Sequence, residues 1–375
     1  MRNKVHRLNM ASRVARTAFL ALALLATFGG GTASAAGSAS AGGLYGVDLS
    51  HPSGAIWLGG HLWTSDRLFR FCRIDPSSSQ LDLFNMPKPT GVALPNQSAP
   101  ATCPYGSAIV AIQPGQPAFD PVSQFVYVPD RASKSSVGVA RYAFDPTTDA
   151  MGDPFALVLG DKQGQILAPT GGLAGLRPNA VALGPDGNLY VGSQNTGDIK
   201  EVTAPAGPIA QQTVRTIGKT SRGGRVFGMA FVGNDLYLAE KDGLTVIRNA
   251  VASTCTGGCQ AVLLPGTTRA ETNGLAADGA GSLYYVQSGA VQRYALSTST
   301  AASIASTGLL TPDQVPATYA RWYNGNCAGT TCPFAFQPGN PAALALDPSG
   351  NLYVGDDPDT IDANLFGRIW RISAP

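Results

Sequence analysis

Histidine is the residue type best suited to acid–base chemistry near neutral pH, and this chain contains three copies. His51 and His61 lie beyond the basic N-terminal stretch. His51 stands directly before Pro52 at the start of a predicted strand, where an imidazole can act as a general base. His61 opens the next strand, and we predict a packing or turn role for it. His51 is therefore the best candidate for a catalytic residue.

Carboxylates and amides recur at two kinds of place, directly before short apolar runs and directly after runs that carry an aromatic residue. We predict that these places converge near the axis on one face of the fold. Ligand pockets commonly lie at such openings. The alternative is structural, because Asp and Asn in tight loops often bond to their own backbone. The candidate ligand-binding residues are Asn179, Asn273, Asn340, Asp66, Asp130, Glu240 and Asp356. The same face is predicted to receive Gln116, Arg131, Asn195, Phe227, Lys241, Gln287 and Asp357.

The densest acidic segment, Asp356–Asp362, is a candidate calcium site. It lacks the central glycine and final glutamate of a helix-loop-helix calcium site, so a solvated loop is the default interpretation. The chain contains neither a Gly-x-Ser-x-Gly nucleophile elbow nor a Walker-type phosphate loop. A serine hydrolase of the elbow type is therefore disfavoured. No motif predicts a bound cofactor, and calcium is the one candidate ion.

One repeated phrase must position these residues. Its clearest copy is Asn340–Val354, and a near copy is Arg177–Val191. Each copy reads as an apolar strand, a tight turn rich in Pro, Asp, Gly and Asn, and a second strand with an aromatic residue. The spacing of the copies suits blades of about 40–50 residues, some with insertions. The aromatic positions are Trp63, Tyr127, Tyr190, Tyr237, Tyr284 and Tyr353.

Six copies of a four-stranded unit predict an all-β protein, a six-bladed β-propeller. The last copy stops at its third strand, near Gly367–Ile372, and the predicted mature chain begins with an unmatched strand, Leu44–Leu49. We predict that this N-terminal strand completes the last blade and closes the ring, because this removes an exposed edge. An unpaired N-terminal arm is the alternative, since chain termini tend to fray.

Residues 1–35 read as a signal peptide. A basic start precedes the apolar run Ala18–Phe28, which is shorter than the roughly 20 residues that span a bilayer. We predict cleavage after Ala35, a periplasmic or secreted location, and no integral membrane segment in the mature protein; a retained anchor is the alternative. Residues 36–375 are predicted to form a single propeller domain with long loop insertions near residues 87–114, 161–176 and 307–339.

The charge of the predicted mature chain restricts its partners. Removal of five basic residues with the signal peptide leaves 21 basic residues against 24 acidic ones, a net charge of −3. No basic excess remains to attract nucleic acid or an anionic membrane. The expected partner is therefore an unidentified small molecule or protein, and we expect a monomer.

Six cysteines in an exported chain predict disulfide bonds, because export leads to an oxidising compartment. A zinc site is the alternative, but the spacing differs from that of paired CxxC knuckles. Covalent haem is not predicted, since no CxxCH stretch occurs. The pairs favoured by proximity, and by elimination for the last, are Cys255–Cys259, Cys327–Cys332 and Cys72–Cys103.

The phrases Arg177–Val191, Glu271–Tyr285 and Asn340–Val354 resemble blades of NHL-repeat and regucalcin/gluconolactonase-like β-propellers. The resemblance covers most of the predicted mature chain. Its motif is structural, and it identifies blades better than it identifies function, because one fold hosts many activities. The gluconolactonase-like family implies a divalent metal in the central channel, held by a Glu, two Asn and an Asp from blade starts.

The implied metal ligands are only partly present in this chain. Asn179 matches one Asn, but Ser53 stands where the Glu is expected and Phe227 where the second Asn is expected. Asn273 replaces the Asp. Asn179 and Asn273 remain as weak metal ligands, and two neutral amides hold a hard cation poorly. The resemblance therefore does not bring lactonase activity with it.

The sequence favours an exported β-propeller that binds a small molecule or protein partner on its axial face. It favours a binder over an enzyme without deciding between them, and an enzyme outside the lactonase mechanism stays open. The first alternative is a metal-assisted hydrolase or lyase that acts on a lactone-like small molecule. The second alternative is an extracellular structural scaffold. Metal bound in the central channel would favour the enzyme over the binder.

Overall fold

The computed structural model describes residues 43–49, 52–66, 70–75, 80–81, 115–130, 138–151, 176–208, 211–251, 258–303, 341–356 and 367–372. All of them belong to one compact unit, Ser38–Pro375. The predicted signal peptide, most of the predicted insertions, His51 and Asn340 lie outside the described residues. The described part contains no α-helix, and hence no helix long and apolar enough to cross a membrane. The prediction of an all-β protein is confirmed.

The described strands form six sheets, numbered by their order along the chain, and β1 (Gly43–Leu49) precedes them. The first sheet contains β2 (Pro52–Leu58), β3 (His61–Asp66), β4 (Arg70–Asp75) and β5 (Gln80–Leu81). The second contains β6 (Ala118–Asp120), β7 (Phe125–Asp130), β8 (Gly138–Asp145) and β9 (Ala150–Met151). The third contains β10 (Pro178–Leu183), β11 (Leu189–Ser193), β12 (Asp198–Val202) and β13 (Val214–Lys219).

The fourth sheet contains β14 (Val226–Val232), β15 (Asp235–Glu240) and β16 (Gly243–Ile247). The next strand, β17 (Cys259–Gln260), runs parallel to β13 at the edge of the third sheet, and β18 (Val262–Leu263) completes the fourth. The fifth sheet contains β19 (Thr272–Ala277), β20 (Ser282–Gln287), β21 (Ala290–Ala295) and β22 (Thr300–Ser303). The sixth contains β23 (Pro341–Leu346), β24 (Leu352–Asp356) and β25 (Gly367–Ile372).

The N-terminal strand lies at the outer edge of the sixth sheet. β1 pairs antiparallel with β25, from Gly43 opposite Arg371 to Leu49 opposite Gly367. The order of this sheet is β1-β25-β24-β23, so the first strand of the described chain supplies the fourth strand of the last sheet. This is the pairing expected for the N-terminal strand, and the alternative of an unpaired arm does not apply to these residues.

The repeated phrase folds locally because its turn aspartate bonds to the residues that follow it. Asp347 Oδ1 accepts hydrogen bonds from the backbone N–H groups of Ser349 and Asn351, each at 2.9 Å. Asp347 Oδ2 accepts one from the Tyr353 hydroxyl at 3.2 Å, which joins the turn to the buried aromatic of β24. In the third sheet, Tyr190 donates likewise to Asp186 Oδ2 at 3.0 Å. The phrase is thus a self-bonded hairpin.

The aromatic positions of the phrase form the layers between the sheets. Each lies in the second strand of its sheet, and all six are at most 4% exposed: Trp63, Tyr127, Tyr190, Tyr237, Tyr284 and Tyr353. Buried apolar clusters join each sheet to the next along the chain, from first to sixth. The first and sixth sheets meet where Trp57 stacks on Tyr353, with ring centroids 5.2 Å apart. Burial of these apolar faces stabilises the packing of the sheets, and this packing fixes the positions of the strand ends.

Two sequence predictions concern residues at the edges of the sheets. His61, at the start of β3, pairs through Nδ1 with Asp149 Oδ2 in the second sheet, which suits the packing or turn role expected for it. Arg73 Nη1 donates to the Asp149 carbonyl at 2.7 Å. Cys259 in β17 is disulfide-bonded. Because the side chains of the other five cysteines lie outside the described residues, the predicted pairing stays a prediction.

Candidate functional site

A two-residue segment before β6, Gly115–Gln116, connects several sheets through its backbone. The Ser65 hydroxyl in β3 donates to the Gly115 carbonyl at 2.7 Å, and the Gly115 N–H donates to the Pro129 carbonyl in β7 at 3.0 Å. The Gln116 N–H donates to the Asn179 carbonyl in β10 at 2.9 Å. The first, second and third sheets therefore meet at this segment.

The Gln116 side chain extends the same connection to the fourth and fifth sheets. Its Nε2 donates to the carbonyls of Met229 in β14 and Leu275 in β19, both at 3.0 Å, and its Oε1 accepts from the Met229 N–H at 2.9 Å. A Cβ atom at Gly228 would lie 2.9 Å from Gln116 Oε1 and 2.7 Å from the Leu275 nitrogen. A glycine is therefore required beside this buried amide.

The positions that the family resemblance assigns to a channel metal do not fit a divalent ion in this chain. The Ser53 hydroxyl donates to the Ser65 carbonyl at 3.4 Å, and Asn179 Nδ2 donates to the Val226 carbonyl at 2.6 Å. These positions carry no carboxylate, and the described residues contain no group of three or more His, Cys, Asp or Glu that could hold a metal. Hard cations normally have carboxylate oxygens among their ligands, and these positions supply none.

The structure describes the side chains of three of the seven candidate ligand-binding residues. Asn179 and Glu240 are 3% and 0% exposed, and both are engaged in hydrogen bonds between neighbouring strands or turns. Asn273 lies in β19 and is half-buried. Three others end β3, β7 and β24, and their side chains lie outside the described residues: Asp66, Asp130 and Asp356. His51 and Asn340 also lie outside the described residues.

An open cleft of about 370 Å³ lies between the strand ends of the third and fourth sheets. The inner strands β10 and β14 begin beside it, and the turns that follow β11 and β15 border it. Small-molecule sites commonly have volumes of about 300–1,000 Å³. The lining residues are Arg177, Gln194, Asn195, Gly223, Gly224, Arg225 and Lys241.

The cleft is lined by three basic residues, and one acidic side chain, that of Asp242, lies beside its residue Gly224. Arg177 precedes β10, Arg225 precedes β14, and Lys241 follows β15. All three are exposed, and none takes part in the ion pairs found among the described residues. Three cations without acidic partners in a shared concave surface create a local attraction for anions. Guanidinium groups bind carboxylate and phosphate oxygens in a forked geometry.

The backbone holds the cationic residues close together. The Lys241 N–H donates to the Arg225 carbonyl at 3.0 Å, and the Gln194 N–H donates to the Arg177 carbonyl at 2.7 Å. The Arg177 N–H donates to Asn195 Oδ1 at 3.0 Å. Each cation is thus fixed at its backbone by the strand end beside it, while its side chain extends into solvent.

The turn Thr220–Arg225 forms one wall of the cleft and is anchored by its neighbours. The Thr220 N–H donates to the Gly197 carbonyl at 2.8 Å. The Ser221 N–H donates to Glu240 Oε2 at 3.2 Å, and the Ser221 carbonyl accepts from Gln260 Nε2 at 2.6 Å. The wall is therefore tied to both β15 and β17.

Glu240 is a buried carboxylate that bonds to the turn bordering this cleft. Its side chain is fully buried, and burial raises its pKa above the ordinary value of 4.5, while the Ser221 hydrogen bond moderates the rise. The Thr272 hydroxyl in β19 accepts the Glu240 N–H at 2.8 Å. Glu240 thus fixes the wall at Ser221 and stands next to Lys241 in the chain.

Sequence reasoning assigned Asn195 and Lys241 to the predicted axial face but did not single out Arg177 and Arg225, which line the same cleft. A sequence pattern could have identified both arginines, because each directly precedes an apolar inner strand. The two stretches are Arg177-Pro-Asn-Ala-Val and Arg225-Val-Phe-Gly-Met. The bridging role of Gln116 was also missed. It depends on partners 113 and 159 residues away, Met229 and Leu275, which no local pattern reveals.

No family model and no curated protein matches the chain, whereas solved structures match its fold. A protein of unknown function from Bacteroides thetaiotaomicron is 14% identical, with a TM-score of 0.55, over 89% of this chain and 74% of that one. The PQQ-bound aldose sugar dehydrogenase of Streptomyces coelicolor is 17% identical, with a TM-score of 0.51, over 89% and 98%. A luciferin-regenerating enzyme is 13% identical, with a TM-score of 0.50, over 87% and 92%.

At such identities the similarity concerns the fold and not the activity. The similar structures include β-propeller enzymes, which accords with the resemblance that the blade phrases indicate. This chain therefore resembles the regucalcin/NHL-like β-propellers in fold, at low identity.

Proposed function

We propose that this protein is an exported six-bladed β-propeller that binds a small anionic molecule in the cleft between its third and fourth sheets. The observation that carries the proposal is the convergence of Arg177, Arg225 and Lys241 on one concave surface. Gln194 and Asn195 add amide groups that can orient a ligand by hydrogen bonds. The ligand class is a compound with carboxylate or phosphoryl oxygens.

The closed ring is part of this proposal, and several contacts support it. The inner strands β10, β14, β19, β23 and β2 pack in that order. Gly54 in β2 lies against Gly115, and Gln116 is bridged to Ala180 in β10, which links the first and third sheets through the segment before β6. With β1 on the sixth sheet, these contacts support the proposal of a ring of six blades. Export rests on the signal-like N-terminal sequence.

Direct titration of the mature protein tests the binding function. We expect calorimetry to show binding of sulfate, phosphate or citrate and none of uncharged glucose. Arg177→Ala, Arg225→Ala and Lys241→Ala should each weaken anion binding about fivefold, since one charge contact of about 1 kcal/mol is lost. Because these side chains are exposed, the thermal unfolding of the variants should match that of the wild type.

Arg222→Ala is the matched control, because Arg222 is an exposed cation on the same turn but does not line the cleft. It should retain nearly all of the wild-type affinity. Equal losses in Arg222→Ala and Arg225→Ala would indicate diffuse attraction by positive charge. Absence of anion binding in folded wild-type protein would contradict the proposed function.

A further inference from the structure

Glu240 connects the protein interior to the cleft without lining it. Its carboxylate accepts the Ser221 N–H of the cleft wall, and its backbone is the cross-strand partner of Val226, the residue after Arg225. The following residue, Lys241, lines the cleft. Glu240 is thus next to Lys241 in the chain, pairs with the residue after Arg225, and bonds to the turn that carries Arg225.

We propose that anion binding in the cleft is coupled to proton uptake by Glu240, so that the site binds anions more tightly as the pH falls. This inference rests on the proposed function. An ionised Glu240 opposes part of the positive potential of the cleft, and its protonation removes that opposition. By linkage, a bound anion must favour the protonated form of Glu240 to the same extent.

The surroundings of Glu240 make it suitable for this role. It is fully buried and belongs to none of the ion pairs among the described residues. Burial already favours its neutral form, which places its titration above that of an exposed glutamate. β16 and β19 contribute the hydroxyls of Thr245 and Thr272. The charged residues on the adjoining turns are Arg222, Arg225, Lys241, Asp242, Arg269 and Glu271.

Sulfate is a suitable probe, because its charge stays constant from about pH 5.5 to about pH 8. We expect wild-type protein to bind sulfate roughly threefold more tightly at the lower pH, the size expected for the loss of one partly screened charge near a binding site. Calorimetry in two buffers of different ionisation enthalpy should show net proton uptake with each sulfate bound, which does not depend on any variant.

Glu240→Gln should bind sulfate at both pH values with the affinity that the wild type shows at low pH, since the amide is neutral and can still accept the Ser221 N–H. A purely structural role for Glu240 would instead lower affinity at both pH values. Asp242→Asn is the control, because Asp242 lies beside Gly224 at the cleft. It should strengthen binding at both pH values, and binding should still depend on pH, because Glu240 is retained.

Three results would overturn the coupling: an equal pH dependence in Glu240→Gln, no pH dependence in wild-type protein that binds sulfate, or no proton uptake on binding. Failure of the proposed function is distinguishable, because wild-type protein would then bind sulfate at neither pH. Sulfate binding that survives in the triple variant Arg177→Ala, Arg225→Ala and Lys241→Ala would place the anion elsewhere and overturn both proposals.

Discussion

At the scale of single residues, polar groups near the cleft fall into two kinds. Asn179 and Glu240 are buried and bond to neighbouring strands or turns, whereas Arg177, Arg225 and Lys241 remain exposed. A buried polar group must find a partner, because an unsatisfied one costs about 1–3 kcal/mol. The exposed cations need no protein partner, because water solvates them. This exposure suits the proposed binding of a ligand.

Comparison of the wild type with Glu240→Gln should show how the titration of Glu240 changes the stability of the protein with pH. Its folded pKa is raised by burial, so its contribution to stability is present at low pH and is lost as the pH rises from the ordinary value of 4.5 through the folded value. Relative to Glu240→Gln, the wild type should therefore lose stability over that rise. Urea unfolding of both proteins across this pH range, without added anions, measures the difference.

The wild type is expected to lose stability relative to Glu240→Gln as the pH rises, because burying a charge is unfavourable. Glu240→Gln removes that cost at high pH while it keeps an acceptor for Ser221. Parallel stability curves for the two proteins would contradict the argument. Arg222→Ala, an exposed change on the same turn, should run parallel to the wild type.

At the scale of elements, the same sequence phrase makes a hairpin in more than one sheet, because its aspartate satisfies the turn locally. Asp347 accepts two turn N–H groups and the hydroxyl of Tyr353, which fixes the angle between turn and strand. The hairpins then need a connection between sheets. Gln116 supplies part of it through three side-chain hydrogen bonds to Met229 and Leu275.

Loss of this connection should destabilise the whole protein. Gln116→Ala removes three buried hydrogen bonds and leaves the partner groups of Met229 and Leu275 without it, at a cost of about 2–4 kcal/mol in the free energy of unfolding. Chemical denaturation measures this loss. Gln124→Ala is the matched control, since that side chain donates to the nearby Pro121 carbonyl in a turn. Similar stability in the two variants would refute the bridging role.

At the scale of the whole molecule, the proposed closure of the ring depends on elements far apart in the chain. β1 pairs with β25, and Trp57 of the first sheet stacks on Tyr353 of the sixth. A ring whose blades all have neighbours leaves no inner face exposed, so each blade depends on the others. Opening at one place should therefore weaken every layer.

Deletion of the N-terminal strand tests this dependence. A mature chain that begins at Ser50 should lose the β1–β25 ladder and expose the edge of the sixth sheet. We expect a lower melting temperature in a single transition and a greater tendency to aggregate. A chain that begins at Gly42 keeps β1 and serves as the control. Equal melting temperatures for the two truncations would show that β1 does not close the ring.

Much of the architecture was predictable because it is encoded locally. Turn residues and alternating apolar positions mark each hairpin within about fifteen residues, and the six aromatic positions all proved to be buried second-strand residues. The partner of the N-terminal strand was also predictable, since the last copy of the phrase lacked one strand. The unmatched N-terminal strand and the incomplete last sheet were therefore each expected to be the partner of the other.

The site depended on the tertiary structure. Asn179 and Glu240 carry the residue types expected of ligand-binding groups, yet burial against Val226 and Ser221 gives them bonds inside the protein. Arg177 and Arg225 are 48 positions apart in the sequence and line one cleft only because the third and fourth sheets adjoin. Local patterns specify turns and strands, because those use neighbours in the chain. Which side chains share a cleft depends on how separate sheets pack.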